Sequence, residues 1–130
     1  MPSIHLDLIG KKFKLGSRGP EFFDCWGLCL EVGKRAGILY PGDLTPDNTE
    51  DQSAAVCEWK DRDFIRLEKP EPYCIVTFKI TPPFVDHCGI VLPDCRSFFH
   101  TMIGHNASVN RLSHRVLVKR IEGFYKLRTV

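Results

Sequence analysis

Apolar and polar positions change period about half-way along the chain. Over residues 24–36, Cys25, Leu28, Cys29, Val32 and Ala36 recur at helical spacing and form one stripe, which predicts a half-buried helix. Asp24 is a favoured N-cap, Lys34 and Arg35 fall in the last turn, where the helix dipole favours cations, and Gly37 is placed to terminate it. Gly27 and Gly33 lie inside this helix, where each costs about 1 kcal/mol relative to Ala. At Gly27, next to the thiol of Cys25, that cost points to something packed closely against the helix. Residues 3–9 fit either helix or strand, and a loop with Gly16, Gly19 and Pro20 follows. Residues 41–55 are polar and turn-rich, a long loop leading into a short helix around Ala54 to Trp59 and a candidate rim for a substrate groove. Beyond it the pattern predicts strands from Cys74 to Ile80, Cys88 to Leu92, Ser97 to Met102 and Val116 to Leu127. Pro82-Pro83, Pro93-Asp94 and Gly104-His105-Asn106 separate them. A helical front half and an antiparallel back half make an α+β fold, the helix packed on a small antiparallel sheet.

At 130 residues the chain has room for one core, so a single domain over 1–130 is expected. A formal charge of +2 is too small to suggest a nucleic-acid partner, and Lys119, Arg120, Lys126 and Arg128 read as a solvated strand face. No apolar run approaches the ~20 residues that span a bilayer, so no membrane span is expected. The first residues carry Asp7 and His5 where a signal peptide would be apolar, so none is expected. Without a secretion signal, the six cysteines read as free thiols. There is no C-x-x-C pair, and Cys88, Cys95, His100 and His105 miss the usual ligand spacing, so neither metal nor cofactor is expected.

The chemistry concentrates in Asp24-Cys25-Trp26-Gly27-Leu28 and Asp86-His87-Cys88-Gly89-Ile90. The first puts a thiol at a helix start, where the dipole and unpaired N–H groups favour thiolate. The second puts an imidazole at a strand start, the pairing that a cysteine nucleophile and its base require. A symmetric hairpin loop centred on Pro93-Asp94 sets His87 directly opposite His100 on one sheet face. Both histidines are then expected to face the start of the Asp24 helix, with Cys88, Ile90 and Leu92 on the other face. A one-residue slip would separate them. His87 is the candidate base, His100 the group that orients it, and the Cys25 N–H the oxyanion donor. The remaining cysteines read as small buried hydrophobes, and His5, His105 and His114 as solvated or satisfied residues.

These segments resemble the NlpC-type cell-wall cysteine peptidases, a papain-like family. Asp24-Cys25-Trp26-Gly27-Leu28, His87-Cys88-Gly89-Ile90-Val91-Leu92 and Phe98-Phe99-His100 match its motifs in order and spacing. The stretch Asp7-Leu8-Ile9-Gly10-Lys11-Lys12-Phe13, the Gly19-Pro20 pair and Trp26 resemble its phage and prophage tail-tip branch. The resemblance implies a peptidoglycan endopeptidase with Cys25, His87 and His100 catalytic. Its bond would be the D-γ-glutamyl–diamino acid amide of wall stem peptides, and its setting a virion tail tip with phage tail proteins as partners. The chain would be made in the host cytoplasm and act at the wall. Asp24, Trp26 and Phe13 are the implied substrate-binding candidates. Phe13 stands where the family often has Tyr, Tyr73-Cys74 replaces its Gly-Asp, and the 130 residues carry no wall-binding companion, which implies targeting by a partner. Two rivals stay open: a structural tail hub with incidental activity, and an amidase or acyltransferase on a non-wall substrate.

Overall fold

A computed structural model describes residues 3–41 and 63–128. The expected loop over 41–55, Pro41 apart, and the short helix around Ala54 to Trp59 lie outside the described residues. After a 3-10 turn at Leu6–Leu8, two short parallel strands, β1 (Lys12–Phe13) and β2 (Phe22–Phe23), lead into helix α1 (Cys25–Arg35). Six strands then build an antiparallel sheet: β3 (Phe64–Leu67), β4 (Ile75–Phe78), β5 (His87–Val91), β6 (Ser97–Met102), β7 (His105–Arg111) and β8 (Ile121–Leu127). Their spatial order is β3-β8-β4-β5-β6-β7. The expected α+β architecture, one helix on a small antiparallel sheet, is the one observed.

Helix α1 lays Trp26, Leu28, Cys29 and Val32 onto one face of the sheet, against Ile75, Cys88, Ile90, Leu92 and Phe99. The other face carries a second cluster of Cys74, Val76, Phe78, Val91 and Phe98, over which Leu112, Leu117 and Phe124 pack. Strands β4 and β5 are therefore buried on both faces, which explains their near-continuous apolar runs. Two expectations are corrected here. Residues 105–106, read as a turn, begin β7, whose polar sequence HNASVNR suits the outermost strand of the sheet. The strand expected from Val116 starts only at Ile121, because Leu117–Arg120 form a 3-10 turn first.

The β5–β6 hairpin also differs in register from the symmetric loop on Pro93-Asp94. Ile90 pairs with Phe99 and Val91 with Phe98, and Leu92 N–H bonds Ser97 O at 2.9 Å. The loop is Pro93-Asp94-Cys95-Arg96, gathered by the Asp94 carboxylate, which accepts from Arg96 N, Ser97 N and Ser97 Oγ at 3.0 Å each. Moving the loop centre by one residue moves every partner by two, so His100 faces Gly89 and His87 lies diagonally from it. A shift of two preserves the face, and diagonal neighbours remain within reach of long side chains.

Candidate active site

The helix start is held by the loop before it. Asp24 caps α1, its Oδ1 accepting the Gly27 N–H at 2.6 Å. Arg18 Nη1 bonds both carboxylate oxygens at 2.7 Å, and Gly16 N–H reaches Oδ2 at 3.2 Å. Asp24 N–H in turn bonds Ser17 O at 2.9 Å. Cys25 is thereby set as the first helical residue, where its backbone N–H has no intrahelical acceptor and the dipole favours negative charge. Part of Cys25 remains accessible. The neighbouring Cys88 thiol and burial push the Cys25 pKa well above the ordinary thiol range, while a hydrogen bond and the charge of His87 pull it down. Reactivity at such a thiol calls for a base that removes its proton during attack.

His87, first residue of β5, and His100, in the middle of β6, are both buried. His87 Nε2 lies 2.8 Å from His100 Nδ1. On its far side His100 Nε2 lies 2.8 Å from Asn110 Oδ1 on β7. The pair sits on an apolar floor, with the Phe78 ring centroid 5.4 Å from His87 and that of Phe98 4.6 Å from His100. Burial lowers the His100 pKa, against a smaller upward pull from its hydrogen bond to Asn110. Gly89 suits this close packing: a Cβ there would lie 3.1 Å from His100 Cβ and 3.0 Å from Phe99 O.

The expectation that both imidazoles project from the α1 face is corrected. They share the face of Phe78 and Phe98, whereas Cys88, Ile90 and Leu92 point toward α1. His87 reaches the thiol because it is the first residue of its strand, beside the helix start. Cys88 consequently enters the thiol's surroundings, and its sulfur is also 3.9 Å from that of Cys29.

The NlpC/P60 family model matches residues 10–126. The chain belongs to the NlpC/P60 family. Its papain-like fold is shared by an NLP/P60 protein of Staphylococcus aureus described as similar to lipoprotein, with 24% identity and a TM-score of 0.65 over 96% of this chain and 39% of that one. It is shared by the NlpC2 protein of Trichomonas vaginalis, with 18% identity and a TM-score of 0.66 over 95% of this chain and 44% of that one. It is shared again by the NlpC/P60 domain of the peptidoglycan hydrolase SagA, with 17% identity and a TM-score of 0.58 over 95% and 92% of the two chains. This chain spans roughly two-fifths of the length of the first two proteins. No curated protein matches the sequence significantly.

Within this NlpC/P60 domain, the three residues expected to carry chemistry, Cys25, His87 and His100, lie together, and Asp24, expected to bind substrate, adjoins the thiol at the helix start. Trp26 is a core residue: it is buried, its indole N–H bonds Pro41 O at 2.7 Å, and its ring packs on Tyr40 and Phe64. Asp24 has both oxygens engaged by Arg18, Gly16 and Gly27, and so anchors the helix start. Phe13 is half-buried in β1, paired with Phe23, two residues before the thiol. Asn110 escaped the sequence reading, because only the β6–β7 register, with Phe98 opposite Asn110, brings it beside His100. His5, read as solvated or satisfied, is buried against the Phe99 ring, and its Nδ1 has no hydrogen-bond partner among the described residues.

Proposed function

We propose that this chain is a cysteine endopeptidase of bacterial peptidoglycan, with Cys25 as nucleophile, His87 as its base and His100 as the group that orients His87. One observation carries the reading: a continuous line of hydrogen-bonding groups from the thiol at the start of α1, through His87, to His100 2.8 Å beyond it. The thiol sulfur attacks the scissile carbonyl carbon as His87 takes its proton. The oxyanion that forms meets the Cys25 N–H at the helix start. His87 then protonates the leaving amine, the C–N bond breaks, and a thioester remains on Cys25. A water gives a proton to His87 and attacks the thioester, which releases a carboxylic acid and restores the thiol.

Membership of the NlpC/P60 family supports this substrate class, as does the shared fold of the NlpC/P60 domain of SagA, which is described as a peptidoglycan hydrolase. The bond we assign is the D-γ-glutamyl–diamino acid amide of stem peptides. The phage tail-tip setting rests on the residues of 7–13, Gly19-Pro20 and Trp26. In that setting tail proteins are the partners, and a domain spanning 1–130 acts at the wall after synthesis in the host cytoplasm. Digestion of purified peptidoglycan followed by product mass analysis tests the reading. New γ-glutamyl carboxyl ends with the wild type, and none with Cys25→Ser, are expected. Intact wall with a folded wild-type chain would favour a structural hub, and cleavage of other amides alone would favour the amidase reading.

A further inference from the structure

Beyond His100 the polar line does not stop at the sheet interior. His100 Nε2 meets Asn110 Oδ1 at 2.8 Å, and Asn110 stands on β7 diagonally from His100, whose direct partner is Ser108. A neutral imidazole carries one N–H, so each contact in such a line dictates the next. An amide oxygen only accepts; facing it, His100 must place its proton on Nε2 and leave Nδ1 as an acceptor. His87 must then donate from Nε2, because Nε2 is the nitrogen 2.8 Å from His100 Nδ1. His87 Nδ1 is thereby left without a proton, ready to accept one from Cys25. With the amide reversed, His100 would donate to His87 Nε2, and a neutral His87 would already carry its proton on Nδ1. It could not act as the base.

We propose that Asn110 is a positioning residue of the active site, whose side-chain oxygen sets the tautomers of His100 and His87 so that the proton-accepting nitrogen of His87 faces Cys25. The inference rests on the proposed hydrolytic reading for its consequence and on the hydrogen-bond geometry for its substance. Once His87 takes the thiol proton it is a cation, and an acceptor line of His100 Nδ1 backed by Asn110 Oδ1 disperses that charge. The floor of Phe78 and Phe98 gives the line no competing partner. Besides His87, which is hydrogen-bonded to it, the titratable groups that bear on His100 are His105 and His114, both of which disfavour its protonation. Neither supplies the acceptor that Asn110 does.

The test uses three variants of the whole chain and two readouts. Asn110→Leu keeps approximate size and removes the acceptor, Asn110→Asp keeps an acceptor and adds charge, and Val109→Ala alters the exposed neighbour on the other face. Nitrogen-15 shifts of labelled histidine report which ring nitrogen is protonated, with no substrate present. In the wild type His87 should be protonated at Nε2, and Asn110→Leu should convert it to a tautomer mixture. In hydrolysis, Asn110→Leu should lower kcat roughly 10- to 100-fold with KM unchanged, a range typical of supporting partners of a functional histidine. Asn110→Asp should recover most of that loss and move the acidic limb of the pH profile upward, since a carboxylate favours protonated imidazole. Val109→Ala should change neither readout. Wild-type-like tautomers and kcat in Asn110→Leu, or equal losses in the Leu and Asp variants with no shift of the pH profile, would overturn the proposal. A wild type that cleaves nothing yet shows the expected tautomers would sink the hydrolytic reading and leave the Asn110 assignment standing.

Discussion

Gly27→Ala inserts one methyl group into space that is already filled. An ideal Cβ at this position lies 2.5 Å from Ser17 O, 2.9 Å from Asp24 Oδ1 and 3.3 Å from Arg18 Cα. By propensity alone the change should stabilise α1 by about 1 kcal/mol. Packing acts in the opposite direction and should win. Ser17 O accepts the Asp24 N–H at 2.9 Å, and Asp24 Oδ1 is the cap acceptor for Gly27 N at 2.6 Å. Neither neighbour can withdraw without loosening a bond that fixes the helix start. Overfilling a packed site costs about 1–3 kcal/mol and a damaged N-cap about 1 kcal/mol more, so the net destabilisation should be about 1–3 kcal/mol. For a domain of this size that lowers Tm by roughly 4–12 °C. The displaced cap also moves Cys25 relative to His87, and sub-ångström misplacement of reacting groups should lower kcat by about ten-fold or more. Calorimetry and wall digestion on the same preparation read both effects. A Gly27→Ala chain with equal or higher Tm and full activity would refute the account of how loop 14–18 holds the thiol.

His87→Ala should remove as much activity as loss of the thiol, since a unit that acts together loses most of its effect with any essential member. His100→Ala should be milder, and His100→Asn or Gln should retain more activity than Ala; identical complete loss in all three, measured by digestion rates, would make His100 a direct participant. Cys88→Ala should lower the Cys25 pKa, because the Cys88 thiol is the largest influence holding it up. Alkylation of Cys25, followed by peptide mapping, should then reach half-maximal rate at lower pH; an unchanged or higher midpoint counts against the contact. Acidification below about 6.5, the ordinary histidine value, should destabilise the fold, because burial lowers the pKa of both His5 and His100. The unfolded chain then binds more protons than the folded one, so stability is full above that value and falls as pH drops toward the folded-state values. Urea midpoints across pH should show this fall, and His100→Gln should reduce it.

The helix and its cap were legible because one stripe, one cap residue and one terminating glycine agree on the same boundaries. The hairpin was legible in its face and not in its register. Pro93-Asp94 marks a turn, but Asp94 gathers Arg96 and Ser97 onto its carboxylate and carries the loop one residue further. The parity of strand positions is what allowed the pairing of His87 with His100 to survive that error. The face that meets α1 was misjudged because β4, β5 and β6 are almost wholly buried, so burial pattern alone cannot say which side a helix covers. Trp26 falls outside the helical stripe and is buried nonetheless, because Tyr40 and Phe64 extend the core around it. Strand β7 is too polar to announce itself, and with it went Asn110.

The central claim, that Cys25 is acylated by a wall peptide with His87 as its base, is tested most directly by trapping the intermediate. The whole chain is mixed with a stem peptide containing the D-γ-glutamyl–diamino acid bond, quenched in acid during the first turnover, digested and mapped by mass spectrometry. We expect an acyl adduct, equal in mass to the peptide up to its γ-glutamyl residue, on the fragment that carries Cys25 in the wild type and on no fragment in His87→Ala. An adduct on Cys88 or Cys29, or product release by Cys25→Ser at the wild-type rate, would contradict the account.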